Sequence, residues 1–147
     1  MINTAYIETV DISNKYFHIN LLLDQYIPIG RYFEKESEYL HKHNELSFDE
    51  AVNVAKDLYK HRSNEQTELY ISKKMLYPKD ITNNWGDVIF SELSNYNIPV
   101  WLIFFDPCRF ANWGHKCEYT LIQQENVHFS VQDTDAPSED ITLTLIQ

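Results

Sequence analysis

Glycine is scarce in this chain: three residues in 147, Gly30, Gly86 and Gly114, no two of them close together. Dinucleotide-binding and P-loop sites need clustered glycines so that backbone N–H groups can approach phosphate, and both are excluded. Cysteine is scarcer still, with Cys108 and Cys117 alone. Two cysteines make no disulfide framework and suit a reducing cytoplasm; in an exported chain the alternative is one bridge between them. Long apolar runs are missing, the longest falling far short of the roughly 20 residues of a membrane helix. The opening residues, MINTAYIETVD, have neither the basic nor the apolar stretch of an export signal. Basic residues are few, 12 Lys and Arg against 22 Asp and Glu. The resulting charge of −10 argues against direct affinity for nucleic acid or an anionic membrane.

What is present is ample apolar and aromatic material, 44% and 14% of the residues, enough for a folded core without metal or disulfides. The length suits a single domain over 1–147. The charge is uneven. Residues 99–147 carry Asp106, Glu118, Glu125, Asp133, Asp135, Glu139 and Asp140 against Arg109 and Lys116, a balance of −5 in the last third of the chain. The segment 30–62 is rich in both signs and nearly neutral, an ordinary solvated surface.

Patterning predicts strands over 6–12 and 16–23, joined at Ser13-Asn14-Lys15 as an N-terminal hairpin. A helix of moderate periodicity is expected over 31–43. Ser47-Phe48-Asp49-Glu50 is a capping box, and Ala51, Val52, Ala55, Leu58 and Tyr59 form an apolar stripe, so a helix is expected over 48–62. A strand follows at 69–71. Trp85, Val88, Ile89, Leu93 and Tyr96 fall at helical spacing and predict a helix over 82–96 with Trp85 facing inward. The run 100–105, VWLIFF, has no alternation and reads as a strand covered on both faces. Strands at 117–123, 127–132 and 141–146 complete the chain, with a tight turn at Glu125-Asn126. The expected fold is α+β: a largely antiparallel sheet, built from the N-terminal hairpin and a C-terminal meander, packed against two or three helices.

Chemistry-bearing residues concentrate in the stretch VWLIFFDPCRFANWGHKCEY. Cys108, His115 and Cys117, with His128 as a fourth ligand, are of the types that bind zinc. Their spacing is unlike that of closed structural sites, so neither metal nor cofactor is expected. A small hydrolase or transferase built on Cys108, His115 and Asp106 is an alternative, but the acidic surroundings would raise a thiol pKa and no glycine-rich oxyanion loop accompanies it. The remaining histidines read as surface groups: His41 and His43 diverge on a helix, His61 suits a helix C-terminus and His18 lies on the wet side of a hairpin.

Phe110 and Trp113 stand in a polar loop, CRFANWGHK, where large aromatics either fold back on the core or offer a contact surface. Together with Asp106, Glu118, Asp133 and Asp135 they are the expected contact face for a basic protein partner. The expectation is thus a non-catalytic, acidic binding protein of the cytoplasm, in concrete form an immunity protein that neutralises a nuclease toxin. An adaptor with a partner that is not basic is a further alternative.

Overall fold

The computed structural model describes residues 3–12, 15–23, 45–111, 114–124 and 127–147. They form a seven-stranded antiparallel sheet: β1 (Asn3–Ile12), β2 (Lys15–Leu23), β3 (Glu68–Ser72), β4 (Trp101–Asp106), β5 (Cys117–Gln124), β6 (Val127–Asp133) and β7 (Leu143–Leu145). The order across the sheet is β1-β2-β6-β5-β4-β3-β7, so β4 and β5 lie near the middle. One α-helix, α1 (Phe48–Tyr59), and two 3-10 turns, Pro78–Asp80 and Ser91–Leu93, are the only helical elements among the described residues.

β4 explains why the sheet is covered twice. Its side chains alternate between faces. Val100, Leu102 and Phe104 enter one apolar cluster with Ile81, Leu93, Tyr119, Leu121 and Phe129. Trp101, Ile103 and Phe105 enter another, with Ala51, Ala55, Tyr59, Leu69 and Ile71. The run without alternation therefore marks a strand with both faces dry. Burying each large apolar side chain on it contributes about 1.5–3 kcal/mol.

Helix α1 covers the second face. The capping box is complete: Ser47 Oγ accepts the Glu50 N–H at 3.2 Å, and Glu50 Oε1 accepts the Ser47 N–H at 3.1 Å. Ala51, Ala55 and Tyr59 are fully buried, with Val52 and Leu58 packed at the margin. The helix ends at Tyr59, three residues before the expected Arg62. Trp101 ties it to the sheet by donating its indole N–H to the Leu46 carbonyl at 3.0 Å.

The other face is covered by irregular chain, and here the expected architecture is corrected: the sheet is not packed against two or three helices. The expected helix over 82–96 does not form. Asn83, 4% exposed, accepts the N–H groups of Trp85 and Asp87 on its side-chain oxygen, at 2.9 and 3.0 Å. Those are backbone donors that a helix would have used. Gly86 adopts φ +86°, and Thr82 bridges Val88, so the segment is a tight hairpin. Ile89, Leu93 and Tyr96 are buried as the stripe predicts, but Trp85 is 75% exposed and Val88 is exposed too. The expected helix over 31–43 and the turns at Ser13-Asn14 and Glu125-Asn126 lie outside the described residues. No helix among the described residues is long and apolar enough to cross a membrane.

Candidate functional site

On the α1 face, Tyr59, Arg62, Glu118, Thr120 and Ser130 form one polar network. Tyr59 donates its hydroxyl to Glu118 Oε1 at 2.5 Å and lies 2.7 Å from Thr120 Oγ1, which in turn lies 2.6 Å from Ser130 Oγ. Arg62 reaches both Glu118 oxygens at 3.2 Å and rests on the rings of Tyr59 and Phe105. Burial, and then the Glu118 carboxylate, push the Tyr59 hydroxyl well above its ordinary pKa. Glu118, 8% exposed, is thus engaged inside the fold.

On the opposite face the acids lie at the margin. Asp106 ends β4. One of its oxygens lies 2.6 Å from His115 Nε2 and accepts the Cys108 N–H at 2.9 Å. Asp133 ends β6 and accepts the Asp135 N–H at 2.8 Å. Asp135 receives the Trp85 indole N–H at 3.2 Å on one oxygen and the Asn83 amide at 3.5 Å on the other, while its carbonyl accepts the Tyr119 hydroxyl at 2.5 Å. The hairpin carrying Trp85 is stitched to the acidic loop by two backbone bonds, Asn84 N–H to Ala136 O and Ser138 N–H to Thr82 O, each 2.9 Å.

The expected contact residues are therefore divided. Asp106, Asp133 and Asp135 are half-buried at the edge of one face, whereas Glu118 points to the other. Phe110 is 64% exposed, but the charge against its ring is cationic, the Arg109 guanidinium at 4.5 Å. Trp113 lies outside the described residues. Trp85, which the helical spacing assigned to the core, is the exposed aromatic that sits among the acids. The signal was in its neighbours: Asn83-Asn84-Trp85-Gly86-Asp87 is turn composition, and a large residue in a turn points outward.

The proposed zinc ligands are divided as well. His115 and Cys117 come together, joined by Asp106. His128 pairs with Ile122 across β5 and β6, and cross-strand partners share a face, so His128 is on the α1 side, away from Cys117. Both cysteines are unbridged. Burial, then the carboxylates of Asp106 and Asp133, push the Cys117 thiol up to about 12, the reverse of what a thiolate nucleophile needs. Searches of protein-family models, of curated proteins and of solved structures found no match to this chain.

Proposed function

We propose that this chain is a binding protein that occludes a basic surface of another protein, and that Trp85 with Asp87, Asp133 and Asp135 forms its contact face. The observation that carries the reading is the three-quarters-exposed indole of Trp85, held in place by a hydrogen bond to Asp135. An exposed tryptophan that is already ordered loses little conformational freedom on binding. Tryptophan is also the side chain most enriched among residues that dominate interface energies. Acids beside it attract a cationic partner and speed encounter. The chain's charge of −10 acts in the same direction over longer distances.

A nuclease is the partner class that suits this chemistry best, because its substrate groove is lined with cations that carboxylates can neutralise in place of phosphates. An immunity protein acting on a nuclease toxin is the concrete form. The two unbridged cysteines support a reducing compartment, the cytoplasm, as its place of work. The reading is tested with a basic nuclease from the source cell that co-purifies with the chain. Trp85→Ala should raise its dissociation rate, and Asp133→Asn with Asp135→Asn should lower its association rate and flatten the salt dependence. Unchanged kinetics in both variants would refute this contact face.

A further inference from the structure

The antiparallel registers place four side chains in one row across four strands. Glu68 on β3 lies opposite Asp106 on β4; Phe105 pairs with Glu118, so Asp106 in turn faces Cys117 on β5; and Cys117 lies opposite Asp133 on β6. Directly opposed residues project from the same face of a sheet. Three carboxylates and a thiol therefore share one line on the face away from α1. Like charges so placed repel each other unless cations are supplied. Arg109 supplies one to Glu68, at 3.7 Å. At Asp106 the neighbour is His115, held above the row by the β4–β5 connection.

We propose that Asp106, His115 and Cys117 form a binding site for a divalent transition-metal ion, with zinc as the ion their chemistry fits best. Their ligand atoms, one from each residue, all lie within 4.8 Å of one another. The donors of a tetrahedral zinc site stand roughly 3.3–3.7 Å apart, given zinc bonds of about 2.0 Å to nitrogen and oxygen and 2.3 Å to sulfur. The His115–Asp106 contact of 2.6 Å has to open by less than an ångström, and the sulfur has to move inward by no more than about one. One soft thiolate, one imidazole and one carboxylate form a set that magnesium and calcium, which take oxygen ligands, would not select. Asp106 and His115 are about a fifth and a quarter exposed, so the ion has an entry path and solvent can fill a fourth position. The expectation of no metal rested on the spacing of Cys108, His115, Cys117 and His128; the fold brings in Asp106 where Cys108 and His128 do not converge. This site does not depend on the contact face described above.

The test is a titration of reduced, metal-stripped protein with Co²⁺, followed by displacement with Zn²⁺. The wild type should bind one Co²⁺ per chain and show a sulfur-to-cobalt charge-transfer band in the near ultraviolet, which one equivalent of Zn²⁺ removes. Cys117→Ser should abolish the band and Cys108→Ser should leave it intact. Cys117 is buried, so circular dichroism must show that the variant is folded. Asp106→Asn and His115→Ala alter side chains at the margin of the fold and should each weaken cobalt binding by about tenfold or more. The proposal is overturned if the wild type shows no such band. It is equally overturned if Cys108→Ser removes the band, or if Asp106→Asn and His115→Ala bind Co²⁺ as tightly as the wild type.

Discussion

The two faces of the sheet at β4 are both buried, and they are covered by different means. Over one lies a regular helix, and beneath it the buried Glu118 meets a cation and a phenol, the phenol in turn meeting a hydroxyl pair. Over the other lies a hairpin and two 3-10 turns, and the acids at its edge meet an indole, a histidine and backbone N–H groups. The first face is electrostatically closed. The second leaves negative charge at the surface beside a tryptophan. Stability is concentrated in both cores, whereas the proposed contact face and the proposed metal site both lie on one side.

The largest expected effects come from the strand that the two faces share. Leu102→Ala and Phe105→Ala leave cavities on opposite sides of β4, and each should cost about 3–5 kcal/mol in a denaturant titration. A loss confined to Phe105→Ala would show that the irregular face is only loosely packed. Next comes Arg62→Ala, which leaves the buried Glu118 without its cation. Arg62 is half exposed, so the cost should fall to about 1–3 kcal/mol, and Glu118→Gln in the same background should recover part of it.

A pH titration reads both faces together. Tyr59 on one side and Tyr119 and Cys117 on the other all have their ionisation pushed upward by burial and neighbouring acids. A raised pKa in the folded state means that the folded chain holds protons the unfolded chain has released. These groups therefore stabilise the fold fully below their ordinary values, about 9 for the thiol and 10 for the phenols. That contribution is lost as pH rises past those values, through about 12 for Cys117. The denaturant midpoint should fall as pH rises from about 9 to about 12. A flat profile would contradict the burial of these hydroxyls and of the thiol.

The sequence was most legible where local chemistry and tertiary packing agree. Ser47 and Glu50 form the cap that their spacing predicts, and VWLIFF is a doubly covered strand because nothing but a two-sided core accommodates six apolar residues in a row. It was misread where a spacing pattern competed with side-chain hydrogen bonding. Trp85, Ile89, Leu93 and Tyr96 keep helical intervals, but Asn83 captures two backbone N–H groups and Gly86 takes a left-handed turn, which releases Trp85 to solvent. The site was harder to read than the fold for a further reason. Glu118 and Asp133 look alike in composition, and only strand parity places the first against α1 and the second on the open edge. Likewise Asp106 joins His115 and Cys117 because strand register, which no local motif records, sets it opposite Cys117.

The smallest expected effect on stability is that of Trp85→Ala, within about 0.5 kcal/mol, because an exposed side chain leaves no cavity. The same substitution is the most direct test of the contact face. Wild type, Trp85→Ala and a control on the α1 face, Lys60→Ala, should be compared for binding to the basic protein that co-purifies with the wild type. Lys60 is exposed and, among the described residues, pairs with Asp57, so the control should bind as the wild type does. The expected result for Trp85→Ala is an unchanged denaturant midpoint with affinity weakened by about 2 kcal/mol or more, carried by a faster dissociation rate. An affinity equal to that of the wild type would contradict the assignment of this face as the site of contact.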